Sequence, residues 1–237
     1  MCERSEAAVP IPPRATLPSN DALAARLRGF GPLGVLSILV ILAGNLLVVP
    51  LSALLVLLWA RRSHTPWRDI GYARPASWVR DLAIGLCFGA ALKLLMKAVV
   101  MPLLGADPIN AAYHHLVGNA AALPGMFYAV IVGAGFGEET VFRGYLFERF
   151  GRLFGAGVWA KVSIVLLTSV LFGLAHYPEQ GLAGVQQATV VGLVFGGTFA
   201  ATGRIWMLMV AHAAFDVVAV GIIYWSLEYA VAHLVFN

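Results

Sequence analysis

Long apolar runs separated by short polar segments set the pattern of this 237-residue chain. The apolar runs, which follow a polar and proline-rich beginning, are residues 30–59, 81–104, 121–142, 162–176, 185–202 and 205–227. A transmembrane helix needs about 20 predominantly apolar residues. The pattern therefore predicts an all-α fold, a polytopic membrane helix bundle of six to eight transmembrane helices.

The first run, residues 30–59, is longer than one straight span requires. Either it is a single span, tilted or kinked at Pro50, or it is a helical hairpin or re-entrant pair. Before it, residues 1–29 are expected to be a flexible leader with a short amphipathic helix over residues 21–28. Residues 30–237 are expected to form a single transmembrane domain.

Arginine is unevenly distributed among the segments between the runs. The segments with arginine are 60–80, 143–161 and 203–204, and those with no Lys or Arg are 105–120 and 177–184. Cytoplasmic loops of membrane proteins are enriched in Lys and Arg, so the first group is predicted to be cytoplasmic and the second to face outward. Arg26 and Arg28 would then lie outside if residues 30–59 were one span. A hairpin removes this conflict, and translocation of the leader despite its charge is the alternative.

Composition supports the same class of protein and excludes others. Hydrophobic residues make up 60% of the chain and charged residues 12%, whereas soluble domains contain about 25% charged residues. The net charge of +4 is scattered between apolar runs, which indicates membrane lipid and no nucleic acid as a partner. Lysine is rare beside arginine, as in high-GC bacterial genomes, so we expect an integral protein of the bacterial cytoplasmic (inner) membrane.

Two adjacent acids, Glu138 and Glu139, close the third apolar run. A charge at the bilayer centre costs roughly 2.5–3.5 kcal/mol on insertion scales, so a carboxylate pair there indicates a use. On a helix Arg143 lies on the same face as Glu139, and Glu138 points about 100° away. We therefore expect Arg143 to pair with Glu139 and Glu138 to face a cavity. The alternative is an ordinary salt bridge where a helix ends at the membrane surface.

Three more ionisable residues fall within or at the end of apolar runs: His176, His212 and Asp216. His212 and Asp216 are four residues apart and so share a helix face, where Asp216 can fix the tautomer of His212 or share a bound water with it. A single histidine in such a run is ordinarily a hydrogen-bonded core residue. His176 would lie at the outer end of its run and Glu138 at the cytoplasmic end, so the fourth span is expected to run deeper, through Pro178, or the cavity to be funnel-shaped.

The motifs Glu138-Glu139-x-x-x-Arg143, Phe172-x-x-x-His176 and His212-x-x-x-Asp216 resemble the three motifs of the CAAX protease and bacteriocin-processing (CPBP, or Abi) family of intramembrane endopeptidases. The resemblance covers about residues 120–225. The last motif position is Asp216, where many members of the family carry Asn. The resemblance implies a helix bundle around a conical intramembrane cavity. It also implies hydrolysis of a peptide bond in a membrane-associated protein or peptide.

The resemblance further implies a role for each of the six residues. Glu138 would be the general base that activates a water, while His176 and His212 would orient that water or stabilise the oxyanion. Asp216 would assist, and Glu139 and Arg143 would brace the site. We expect no cofactor. The alternative is zinc bound by Glu138, His176 and His212, although the chain contains no HExxH motif.

Two lysines on the second run, Lys93 and Lys97, leave two readings open. They either snorkel to the outer surface or line the cavity and bind a substrate carboxylate. The function has alternatives as well: a non-catalytic membrane scaffold or immunity protein of the same fold, and a proton-coupled transporter. The complete set of six polar residues argues against the scaffold, and the sequence shows no evident internal repeat, which weakens an inverted-repeat transporter.

Overall fold

The structure, a computed structural model, describes residues 19–236, and these residues form helices and no strands. In chain order the helices are α1 (Ser19–Arg28), α2 (Pro32–Ala43), α3 (Leu51–Arg62), α4 (Trp78–Leu103), α5 (Ala120–Phe154), α6 (Val158–Ala175), α7 (Tyr177–Thr202), α8 (Ile205–Tyr224) and α9 (Glu228–Ala232). Short 3₁₀ turns lie at Trp67–Ile70 and Ala111–Leu116. The middle of α5 is wound in the wider π form over Ala129–Glu138 and Thr140–Tyr145.

Within the described residues, five helices, α4 to α8, are long and apolar enough to cross a membrane. A sixth candidate is the pair Ala22–Arg28 and Pro32–Leu46, which is bent by 60° at its break. The predicted all-α polytopic bundle is confirmed, with five to six candidate membrane helices where six to eight were predicted. The length and composition of these helices indicate an integral membrane protein.

The first apolar run folds back on itself rather than forming one kinked span. Asn45 and Ser52 exchange hydrogen bonds of 2.9 Å between side chain and backbone, which joins the end of α2 to the start of α3. At the other end of the pair, Trp59 Nε1 donates to the Leu27 carbonyl at 3.1 Å. These contacts make α2 and α3 antiparallel, so Arg28 lies on the same side as the end of α3. The hairpin alternative therefore agrees with the structure, and the charge conflict of the leader disappears.

The predicted leader falls largely outside the described residues, which begin at residue 19. The expected short helix is present, as α1. The division into a leader and one transmembrane domain stays a prediction.

The basic segment 143–161 was predicted to be a connection between spans, and this was wrong. Helix α5 continues to Phe154, and the actual connection to α6 is residues 155–157. The arginines remain helical because their guanidinium groups find partners there: Arg149 donates to the carbonyls of Arg28 and Gly29, and Arg152 contacts Glu148. Glu138 consequently lies in the middle of a 35-residue helix and not at its end.

The predicted outer loop 177–184 is also helical for most of its length. Helix α7 begins at Tyr177, with Pro178 in its first turn, where a missing N–H costs nothing. Its early part is bent at Gly181, whose φ of 58° and ψ of −153° suit a residue without a side chain. The expected extension of the fourth span through Pro178 was wrong, since α6 ends at Ala175.

Small residues let the helices around the centre of the bundle approach closely. A side chain at Gly89 of α4 would come within 2.0 Å of the Ala211 carbonyl oxygen of α8, and one at Gly192 of α7 within 2.9 Å of Ser169 of α6. Membrane helices associate through such small-residue contacts, because lipid supplies no hydrophobic drive for their packing. Helix α8, with ten buried residues, is thereby held in the centre of the bundle, and its His212 contacts Glu139 of α5.

Candidate active site

A cavity of about 410 Å³ lies among α5, α8 and the junction of α6 and α7. Four of the six predicted site residues line it: Glu138, His176, His212 and Asp216. They come from three separate stretches of the chain, so tertiary packing brings the three sequence motifs together. The other two, Glu139 and Arg143, lie behind this wall, and both are buried. The conical shape expected of the cavity stays a prediction.

The Glu139 carboxylate is the hub behind the cavity wall. Arg143 Nη1 donates to Glu139 Oε1 at 2.8 Å, the pair expected from their spacing. His212 Nδ1 lies 2.7 Å from the same oxygen. Glu139 is 0% exposed, and its two partners, both at Oε1, offset part of the cost of burying a carboxylate. One carboxylate thus links α5 to α8.

The imidazole of His212 is held by Glu139 and not by Asp216. An ionised carboxylate only accepts hydrogen bonds, so Nδ1 of His212 carries the donated proton and Nε2 faces the cavity. Glu138 Oε2 and Asp216 Oδ2 each lie 3.7 Å from Nε2. The expectation that Asp216 fixes the tautomer of His212 was therefore wrong. Its position beside Nε2 matches the other alternative, a shared water.

Glu138 presents a carboxylate oxygen that no described residue satisfies. Its Oε2 is buried and accepts no hydrogen bond from residues 19–236. Buried polar atoms in native proteins normally have a partner from protein or ordered water. Together with its place on the cavity wall, this indicates that Glu138 is arranged to meet a water or a substrate.

His176 is oriented by its own helix. Its Nδ1 lies 2.8 Å from the Phe172 carbonyl oxygen, which only accepts, so Nδ1 donates and Nε2 is left for the cavity. The Phe172 ring supports several site residues at once. Its centroid lies 4.7 Å from the His176 ring, 5.9 Å from the His212 ring and 4.6 Å from the Arg143 guanidinium.

The sequence placed Glu138 and His176 near opposite sides of the membrane, whereas the structure places them at the same cavity. Glu138 moves to mid-helix because α5 extends well beyond residue 142. His176 ends α6 at the short junction before α7 and lines the same cavity as Glu138. The misplaced boundary was that of the third span and not that of the fourth.

Both lysines of α4 are turned inward. Lys93 is only 7% exposed, lines the cavity, and donates to Gln187 Oε1 at 3.1 Å. Lys97 Nζ lies 3.5 Å from Glu228 Oε1 and also contacts the Pro108 carbonyl. Snorkelling to the surface was therefore the wrong alternative for the pair.

Sequence reasoning missed Tyr113, a further polar residue on the cavity wall. Its hydroxyl accepts a hydrogen bond from Gln180 Nε2 at 3.2 Å. Burial raises the pKa of Tyr113 to about 12, so the phenol stays protonated near neutral pH and keeps a proton to donate. Its signal in the sequence was faint, because a tyrosine in an outer loop is ordinarily an interface residue.

The site residues do not form a metal ligand set as the structure places them. Within residues 19–236, no group of three or more His, Cys, Asp or Glu side chains is arranged to hold a metal ion. Nδ1 of His212 and Nδ1 of His176 donate to protein oxygens, which leaves Nε2 of each ring as the atom that could bind a ligand in the cavity. Zinc stays an untested alternative.

The fold and site define a helical membrane protein with a buried carboxylate–histidine centre, and the comparisons name a family of that class. Residues 120–218 match the family model described as Type II CAAX prenyl endopeptidase Rce1-like. All six predicted site residues lie in that segment, so the resemblance seen in the motifs is confirmed there. The match supports a CAAX-type intramembrane protease at the level of the family, with a membrane-associated peptide as substrate. No curated protein and no solved structure matches the chain.

Proposed function

We propose that this protein is an intramembrane endopeptidase that uses Glu138 to activate a water and needs no metal. The observation that carries the proposal is the unpartnered Oε2 of Glu138, 3.7 Å from Nε2 of His212 on the wall of a cavity. A polar separation of that length suits a bridging water better than a direct hydrogen bond. The substrate is a membrane-associated protein or peptide.

The hydrolysis balances with water as the only co-reactant. Glu138 takes a proton from the water as the water oxygen bonds to the scissile carbonyl carbon, which gives a tetrahedral oxyanion. The C–N bond then breaks, and the proton held by Glu138 passes to the leaving amine. A base placed in this way typically contributes about 10²–10⁴-fold to the rate.

The two histidines act through Nε2, since both Nδ1 atoms donate to protein oxygens. A neutral ring accepts a hydrogen bond from the water at Nε2 and so orients it, whereas a protonated ring donates from Nε2 to the oxyanion. Asp216 shares the space beside Nε2 of His212. Donors that stabilise an oxyanion are each worth about 10²–10³-fold in kcat.

Glu139, Arg143 and Phe172 are positioning residues in this proposal. Glu139 holds the His212 ring at 2.7 Å, Arg143 holds Glu139 at 2.8 Å, and the Phe172 ring packs against His176. A network in which each member fixes the next keeps the reacting groups in place before substrate arrives. Catalysis depends on such preorganisation, because a displacement of about 1 Å can cost roughly 10²-fold.

The test is cleavage of a quenched fluorescent peptide library by purified protein in liposomes. We expect the Glu138→Gln and His212→Ala variants to lose at least about 10²-fold in kcat/KM. Asp69→Asn and His115→Ala are the matched controls, because both side chains are exposed and lie outside the cavity wall. Cleavage that persists in Glu138→Gln contradicts the role of the base.

Two further arms separate the alternatives. A chelator should leave cleavage unchanged, and loss of activity that zinc restores would replace the metal-free mechanism by a zinc mechanism. A library that the wild type does not cleave, together with substrate flux that depends on a proton gradient, would favour a transporter. Absence of both activities would favour the scaffold.

A further inference from the structure

A second cavity adjoins the candidate active site, and Lys93 stands where the two meet. This second cavity measures about 340 Å³ and lies towards α9 and the outer loop. Lys93 and Gln187 line both cavities. A chain segment that reaches Glu138 therefore has room to continue past Lys93 into the second cavity.

The Lys93 ammonium is buried with little compensation. It is 7% exposed, it donates one hydrogen bond to Gln187, and it lies 4.7 Å from the centroid of the Phe215 ring. Among the residues that the structure describes, no carboxylate oxygen lies within 4.0 Å of it. An ammonium has three donors, and a buried cation without an anion is unfavourable. Asp216 and Glu179 line the same cavity as Lys93, but neither is in direct ion-pair contact with its ammonium, so a contact position for an anion is left open.

Lys97 lies one helical turn away, and its ammonium has partners within the protein. Its ammonium lies 3.5 Å from the buried Glu228 carboxylate and contacts a backbone carbonyl. Its charge is thus balanced within the protein. The contrast identifies Lys93, and not the lysine pair as a whole, as the group arranged to meet an incoming anion.

We infer that Lys93 is a specificity-determining residue that binds a carboxylate of the substrate at the junction of the two cavities. The inference rests on the proposed function, since it deepens the substrate class of the same site. The carboxylate is either the free C-terminus of a peptide or an acidic side chain beyond the scissile bond. Both sources supply an anion that can pair with the Lys93 ammonium, and a neutral apolar peptide does not.

The test measures binding, so it does not depend on turnover. The protein is the full chain with Glu138→Ala, in detergent, and the probe is a pool of apolar peptides each made in three forms. The forms have a free C-terminal carboxylate, a C-terminal amide, or a C-terminal amide with one internal glutamate. Retained peptides are quantified by mass spectrometry for three versions of this Glu138→Ala protein: one with Lys93 unchanged, one with Lys93→Met and one with Lys93→Gln. Lys161→Met is the control, because that lysine is exposed and far from either cavity wall.

We expect the version with Lys93 to retain one carboxylate form at least about tenfold better than its amide counterpart, in line with the cost of truncating a buried charge pair. Lys93→Met and Lys93→Gln should abolish that preference, and Lys161→Met should keep it. Which of the two carboxylate forms is preferred identifies the source of the anion.

The inference is overturned if no carboxylate form is preferred, as expected if Asp216 of the same cavity neutralises Lys93. It is also overturned if the preference survives both Lys93 substitutions. Failure of the peptidase proposal looks different, because cleavage would then be absent from the wild type while binding preference is retained.

Discussion

Helix α5 carries two Glu–Arg pairs with the same spacing, and their surroundings give them different roles. Glu139 and Arg143 are buried at 0% and 2% exposure, and their third partner is the His212 ring of α8. Glu148 and Arg152 form the second pair, and the Arg152 side chain is 35% exposed. The third member there is Arg149, whose partners are backbone carbonyls of Arg28 and Gly29.

The two clusters show that the role of a Glu–Arg pair depends on the third group that the pair contacts. At the cavity, the pair ends on an imidazole that has a second nitrogen free for chemistry. Nine residues later, Arg149 connects the pair to the carbonyls of Arg28 and Gly29, where α1 gives way to α2 and the last carbonyls of a helix lack intrahelical partners. The first cluster positions a reacting group, and the second fastens the N-terminal hairpin to the bundle. Substitutions in both clusters measure this difference.

The largest effect is expected for Arg143→Met. It leaves the Glu139 carboxylate buried with only His212 as a partner, and breaking a buried ion pair costs about 3–5 kcal/mol. We expect the free energy of unfolding, measured by denaturing-detergent titration, to fall by about 3 kcal/mol because His212 still offsets part of the cost. Peptidase activity should be lost in the same variant. Unchanged stability would show that Arg143 does not balance Glu139.

Only part of this cluster could be predicted from the sequence. The Glu139–Arg143 contact follows from helix geometry alone, because residues four apart share a face. The contact of Glu139 with His212 joins positions 73 residues apart and depends on how α5 packs against α8. Spacing instead suggested Asp216, the neighbour of His212 on its own helix, as the residue that either fixes its tautomer or shares a water with it. Local periodicity finds the members of a site, and tertiary packing decides which of them touch.

The fold shows the same division. Apolar runs located the membrane helices, since their length and composition are local properties. The end of α5 was misplaced because Arg149 and Arg152 resemble loop residues until their partners are known. Arg149 is 2% exposed, with its guanidinium over the Phe30 ring at 4.4 Å, so a residue expected to mark the membrane surface is enclosed by protein.

The second prediction concerns the other cluster and uses Arg149→Met. The variant loses charge-assisted hydrogen bonds to two backbone carbonyls, and hydrogen bonds to charged groups are worth about 1.5–3 kcal/mol. We expect amide exchange to increase in α1 and α2, with α8 unaffected. Cleavage of a peptide substrate should change less than threefold. Equal exchange in wild type and variant would mean that the hairpin is held by its apolar contacts instead.

A third measurement compares coupling within the active-site cluster. Glu139→Gln, Arg143→Met and the double variant form a cycle, and groups in one buried network typically couple by about 0.5–3 kcal/mol. The double variant should be more stable than Arg143→Met, because it no longer buries an unbalanced charge. Activity should stay low in all three, since His212 is held less firmly by a neutral glutamine or by a Glu139 carboxylate that Arg143 no longer positions. If the changes in stability of the two single variants simply add up in the double variant, the two residues do not act as a pair.

The smallest effect is expected for Arg152→Met, the counterpart of Arg143→Met on the same helix. Its side chain is partly exposed, and exposed ion pairs contribute about 0–1 kcal/mol. Glu148 also keeps Arg149 as a neighbour at 3.5 Å, so the Glu148 carboxylate still has a positively charged partner. Thermal unfolding and peptide cleavage should both remain within experimental error of the wild type. A loss as large as that of Arg143→Met would mean that the same spacing has the same role at both ends of the helix, and that the third partner does not distinguish them.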